Sequence, residues 1–177
     1  FVIACRKDGF IETIIDPDTQ FVQIIINDSK DASPVIFDNS NQSGSIFYIT
    51  RQGKFGLKGI PEILQNDSTH YIAQWNSNNL QVKISFIKSG GQYNFSFEAD
   101  DSDDIIGWGF NLKADEDEFY TGLFERVVDG DQAQSWKKGI NETLNLRGQS
   151  VNMLIRPTLS LYCPFYLSSK GYGLFID

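Results

Sequence analysis

The chain is short of the residues that build metal centres and nucleophilic sites: one His and two Cys in 177 residues. Cys5 and Cys163 are too few for a disulfide framework or a thiolate cluster, and a single His leaves structural zinc without ligands. Each Cys sits in an apolar, strand-like run and reads as a buried thiol rather than as half of a bridge. Basic residues are scarce as well, with 15 Lys and Arg against 23 Asp and Glu and a net charge of −8. The cations are scattered, which excludes the clustered phosphate contacts that a nucleic-acid partner requires. No apolar run approaches the roughly 20 residues that span a bilayer as a helix. The opening Phe1-Val2-Ile3-Ala4-Cys5 is too short for a secretory leader. Neither nucleic acid nor membrane is therefore expected as a partner, and a neutral substrate is compatible with the charge.

Aromatic residues are plentiful. They make up 14% of the chain, with 14 Phe and 7 Tyr, and side chains of this kind suit a pleated, half-buried surface. Turn chemistry recurs at Asp8-Gly9, Asp16-Pro17-Asp18, Asn27-Asp28, Gly44, Gln52-Gly53, Asn76 to Asn79, Gly90-Gly91 and Asp129-Gly130. Between the turns, residues 10–15, 21–26, 45–50, 80–88, 92–99 and 105–112 read as strands. In 80–86, Leu80, Val82, Ile84 and Phe86 share one face, while Gln81, Lys83 and Ser85 share the other. The run 93–98 repeats the alternation after Ser89-Gly90-Gly91, which predicts a β-hairpin with one wet face. No segment carries an apolar repeat at helical spacing over three turns. The expectation is a single all-β domain over residues 1–177, an antiparallel β-sandwich.

Two acidic runs invite a metal reading. Asp100-Asp101-Ser102-Asp103-Asp104 lacks the Gly and the distal bidentate Glu of the common calcium loop and reads as a solvated turn. Asp115-Glu116-Asp117-Glu118 reads as an exposed bend before a strand. Asn27, Asn41, Asn66, Asn94 and Asn141 each begin a glycosylation triplet; a chain rich in Asn and Ser makes such triplets by chance, and Asn94 falls inside an alternating strand. His70, in the polar run Asp67-Ser68-Thr69-His70, reads as a surface loop residue.

The run from Phe110 to Ala114, the acids Asp115 to Glu118, and Phe119-Tyr120-Thr121-Gly122-Leu123-Phe124-Glu125-Arg126 together resemble a landmark of glycoside hydrolase family 31, the α-glucosidases and α-xylosidases. A second landmark of that family resembles Pro164-Phe165-Tyr166-Leu167-Ser168-Ser169-Lys170-Gly171-Tyr172-Gly173-Leu174-Phe175. The motifs cover residues 110–126 and 159–177, while the first hundred residues agree only in style. The resemblance implies a galactose-mutarotase-like β-sandwich preceding a (β/α)8 catalytic barrel of the same polypeptide. The apolar ending Gly171 to Asp177 then reads as the junction between the two, cut inside a longer chain. Thr121 and Phe124 depart from the family pattern and require the turn to accept a Cβ and a ring, with Phe124 packed inward. The stretch Asn152 to Thr158 is shorter than the family's substrate loop and carries no Asp, so that sugar contact is not carried over.

Family 31 hydrolysis, as the resemblance implies, is a retaining reaction of two barrel carboxylates about 5 to 5.5 Å apart. The barrel's Trp-x-Asp-Met-x-Glu-type motif is missing: Trp75 and Trp136 precede Asn76 and Lys137. A free-standing mutarotase would need a second His beside His70. No residue of this chain is therefore assigned a catalytic role, no cofactor is implied, and the chain alone is expected to be inactive. Glu125 and Arg126 read as a structural pair. Substrate contact, if the chain makes any, is expected from the polar stretch Asp129 to Arg156, with Trp136, Arg147 and Arg156 as candidate binding residues for an α-linked oligosaccharide; the same stretch fits an interdomain surface equally well. The alternative function is an independent, non-catalytic carbohydrate-binding module. A docking patch for the barrel would be apolar and exposed, whereas an independent module would be polar all round.

Overall fold

The computed structural model describes residues 2–4, 10–27, 34–40, 42–100, 103–124, 146–148, 150 and 162–176. Every regular element among them is a strand: β1 (Val2–Ala4), β2 (Phe10–Ile15), β3 (Val22–Asn27), β4 (Val35–Phe37), β5 (Ile46–Thr50), β6 (Gly53–Gly56), β7 (Glu62–Asn66), β8 (His70–Ser77), β9 (Leu80–Ser89), β10 (Gln92–Ala99), β11 (Ile105–Phe110), β12 (Tyr120–Phe124), β13 (Tyr162–Ser168) and β14 (Gly173–Phe175). All described pairings are antiparallel. The chain divides into two compact units, residues 5–114 and residues 1–4 with 115–177.

In the larger unit, β7 to β10 form a consecutive meander, whose neighbours pair as β10-β9-β8-β7. The hairpin expected from alternation is present in register, with Phe86 opposite Phe95 and Ser89 opposite Gln92 across a Gly90-Gly91 loop. Val82, Ile84 and Phe86 are fully buried on one face of β9, as the period of two requires. Two three-stranded sheets, β11-β5-β6 and β2-β3-β4, supply the opposing layer. Phe37 at the end of β4 meets Phe86, Phe95 and Phe110 at ring-centre distances of 5.3, 5.5 and 5.4 Å. Val22, Ile24 and Ile26 of β3 lie beside it, all buried. This is the sandwich core, and it explains the Phe-rich composition: rings fill the space between two layers about 10 Å apart.

Polar ties fix the layers against sliding. The Tyr48 hydroxyl of β5 donates to the Ser77 carbonyl of β8 at 3.2 Å, and the Trp75 indole donates to the Gly59 carbonyl at 3.1 Å. Thr13 of β2 and Tyr71 of β8 are joined through their hydroxyls. Burial pushes the Tyr71 phenol pKa up, partly offset by that bond.

The smaller unit orders its strands β12-β13-β14-β1. Tyr120 lies opposite Ser168 and Gly122 opposite Tyr166. The register breaks between Gly122 and Phe124, where Gly122 has φ +123° and Leu123 φ +70°. A Cβ on Gly122 would come 2.4 Å from the Phe165 carbonyl oxygen, so only Gly fits. The pairing passes from Gly122–Tyr166 to Phe124–Tyr162, an irregularity in which β13 carries two more residues than β12. The Phe124 side chain, expected to pack inward, lies outside the described residues, as do Cys5, Glu125 and Arg126.

A candidate site around Glu118

The acidic run before β12 does not behave as one solvated bend. Asp115, Glu116 and Asp117 are exposed as expected, but Glu118 is buried, with only 3% of its surface accessible. This corrects the reading of all four acids as an exposed bend. The reason is local and then tertiary. Residues 115–118 close a turn in which the Glu118 amide donates to the Asp115 carbonyl at 3.1 Å. The Glu118 side chain then folds back, and its Oε2 accepts the Asp115 N–H at 3.0 Å.

The remaining donors arrive from β13 and the turn after it. Ser168 Oγ donates to Glu118 Oε1, and accepts the Lys170 amide at 3.0 Å. The Glu118 carboxyl helps raise the pKa of the nearby Tyr172 and Tyr120 phenols. Phe119 and Ser169 lock the same corner by exchanging a bond each way: Phe119 N to Ser169 Oγ at 3.1 Å, and Ser169 N to the Phe119 carbonyl at 3.0 Å.

Cations flank the cluster. The Arg147 guanidinium donates to the Glu118 carbonyl at 2.7 Å and to the Asp115 carbonyl. Lys170 reaches Asp117 Oδ1 at 2.8 Å and Asp115 Oδ2 at 3.3 Å. Its hydrogen bond to Asp117 raises the Lys170 pKa, against some desolvation, and the same bond lowers that of Asp117.

Three phenols share the site. The rings of Tyr120 and Tyr166 stand edge to face with centres 5.7 Å apart. Desolvation raises the pKa of Tyr120, Tyr166 and Tyr172; the neighbouring phenols raise those of Tyr166 and Tyr172 further, and Glu118 raises all three. All three phenols therefore hold their protons more tightly than a free tyrosine does.

An ionised carboxylate offers about four lone-pair sites. Here a backbone amide directs a bond at one oxygen and a serine hydroxyl at the other. A buried carboxyl bonded through both oxygens suits a fastening point. The chemistry of the arrangement is the joining of two sequence-distant segments, about fifty residues apart, by charge-assisted hydrogen bonds.

Of the sequence-derived binding residues, Arg147 is in this cluster, bonded to backbone carbonyls. Trp136 and Arg156, with nearly all of the Asp129 to Arg156 stretch, lie outside the described residues. Glu118, Ser168 and Tyr172 were not singled out as site residues, although all three fall inside the two motifs. His70 is no loop residue: it opens β8, half-buried, with Nδ1 2.8 Å from Thr69 Oγ1. Asp100 caps β9, its Oδ1 accepting the Gln81 amide at 2.8 Å. Among the described residues no group of three or more His, Cys, Asp or Glu is placed to hold a metal ion. No helix among them is long and apolar enough to cross a membrane. Compared with models of known protein families, with curated proteins and with solved structures, the chain matches none.

Proposed function

We propose that this chain is the non-catalytic N-terminal β-sandwich domain of a family 31 α-glycosidase, packing on a (β/α)8 barrel of the same polypeptide and lining one side of its sugar pocket. The observation that carries the reading is the meeting of the two motif segments. The stretch resembling the first landmark supplies Glu118 and β12, and the stretch resembling the second supplies β13, Ser168, Lys170 and Tyr172. Tyr120 to Phe124 pairs with Tyr162 to Ser168, and Glu118 receives the hydroxyl of Ser168. Two motifs that close on one buried carboxyl form one structural device, which explains why both would be kept in such a domain.

On this reading the hydrolytic carboxylates belong to the barrel, and the present residues support it. The β13–β14 face opposite the cluster presents Leu167 and Phe175, 48% and 39% exposed, which suits a docking surface more than an independent polar module. The test is the coding sequence beyond Asp177, followed by expression of the longer product. A (β/α)8 barrel with the acidic nucleophile motif, and hydrolysis of an aryl α-glucoside or α-xyloside by the longer protein, is expected. A stop codon directly after Asp177, or a following domain of another class, overturns the proposal.

A further inference from the structure

A second feature lies in the unit of residues 5–114. Two hairpins end there in two-residue loops: Arg51-Gln52 between Thr50 and Gly53, and Asn78-Asn79 between Ser77 and Leu80. Asn78 and Asn79 have φ +49° and +66°, the left-handed pair of a type I′ turn, which Asn adopts more readily than other side chains. Tyr48 holds the two tips together, since its hydroxyl donates to the Ser77 carbonyl and accepts from Asn78 Nδ2 at 3.3 Å. Between the tips is a cavity of about 400 Å³. That is within the range of small-molecule sites.

We propose that this cavity is a binding site for a neutral, hydroxyl-rich ring of monosaccharide size. Its lining includes the half-buried Phe55, whose ring lies against Tyr48 with centres 5.6 Å apart and 30° from parallel, and Leu80. A flat ring of this kind packs on the C–H face of a pyranose. Gln52, Asn78 and Asn79 also line it, three primary amides that each donate and accept, as vicinal hydroxyls do. Arg51 and Asp104 add one cation and one anion. The charges balance, so the lining favours neither an anion nor a cation. The inference does not depend on the glycosidase reading: the cavity is built wholly from residues 48–104, and a missing barrel would leave it intact.

The experiment titrates the full chain with glucose, xylose and, as a zwitterionic control, glycine. It follows the side-chain amide resonances of Gln52, Asn78 and Asn79 by NMR. Saturable shifts confined to these groups, with a millimolar Kd, are expected; this is the affinity usual for about a dozen ligand heavy atoms. The variant Asn78→Gly/Asn79→Gly keeps the left-handed turn while removing two amides, and Gln52→Ala removes the third from an exposed loop. Each is expected to weaken binding about tenfold; since the double variant also removes the Asn78 bond to the Tyr48 hydroxyl, Gln52→Ala, which leaves that bond in place, separates lost sugar contact from loosened loop tips. Absence of saturable shifts at about 100 mM sugar, binding unchanged in both variants, or tighter binding of glycine than of either sugar overturns the proposal.

Discussion

In residues 5–114 the centre of the structure is Phe37, surrounded by Phe86, Phe95 and Phe110, and the polar ties run around it. In the unit of residues 1–4 and 115–177 the centre is Glu118, and the aromatic groups near it are Tyr120, Tyr166 and Tyr172. Both centres join strands, but by different forces. Ring packing is non-directional and tolerates small shifts, whereas a carboxyl bonded through both oxygens fixes each partner to a direction and a distance. The first arrangement gives bulk stability. The second gives a specific register between segments far apart in sequence, at the risk that losing one partner leaves several buried polar groups unsatisfied.

The comparison is broken most severely at Phe37. Phe37→Ala empties the contact point of three rings and is expected to cost about 3–5 kcal/mol. Urea unfolding, with hydrogen exchange read over β8 to β10, measures it. A loss below about 1 kcal/mol would show that the ring cluster is not the centre of that unit.

Glu118→Ala comes next, at about 2–4 kcal/mol, because it strands the Asp115 amide and the Ser168 hydroxyl without an acceptor. Glu118→Gln keeps one acceptor oxygen but turns an NH2 toward donors, and should lose about half as much. The informative variant is Glu118→Leu. If it unfolds at the same urea concentration as the parent, the polar centre contributes nothing that apolar packing cannot replace.

The tyrosines separate the two units by pH. A phenol whose folded pKa is raised above its unfolded value of about 10 contributes stability that is intact below pH 10 and is lost as the pH climbs above it. Tyr120, Tyr166 and Tyr172 are all raised, against Tyr71 in the larger unit. Amide exchange in β12 to β14 should therefore accelerate between about pH 10 and 12 beyond the ordinary base-catalysed increase, and Tyr166→Phe should remove part of that excess. An excess of equal size in the variant would show that Tyr166 takes no part.

Much of this contrast was visible in the sequence only on its apolar side. A period of two is written directly into Val82, Ile84, Phe86, Phe95 and Phe97, so the β9–β10 hairpin was legible to within one residue, Ser89, at the end of β9. The strand β8 was not, because Asp67-Ser68-Thr69 announces a turn and drew His70 into it; the alternation of Tyr71, Ala73 and Trp75 begins one residue later. Glu118 was illegible for a different reason. Four consecutive acids look alike, and what distinguishes the last is the Ser168 hydroxyl, supplied by the fold from about fifty residues away. Position in sequence carries periodicity well and long-range donors not at all.

The smallest expected effect compares two exposed carboxylates, one in each unit. Asp67 is held well below the usual carboxylate range, first by the Thr69 amide and then by the side chains of Gln65 and Thr69 and the His70 amide. Asp117 is lowered by its hydrogen bond to Lys170 and by the charge of that ammonium. Both depressions favour the folded state above the unfolded pKa near 4, and both contributions are lost as the pH falls through the folded values. Salt distinguishes them. At about 1 M the Debye length shrinks to about 3 Å, so the Coulombic part of the Asp117 depression should be screened, while fixed amide dipoles in contact with Asp67 should be little affected. Carboxyl carbon titrations by NMR at low and high salt would then show the Asp117 pKa rising toward its ordinary value and the Asp67 pKa staying put. Equal movement of the two would mean that the smaller unit's ion pairs and the larger unit's turn amides act through the same long-range field, and the distinction between directional and diffuse polar contacts would fail at the surface.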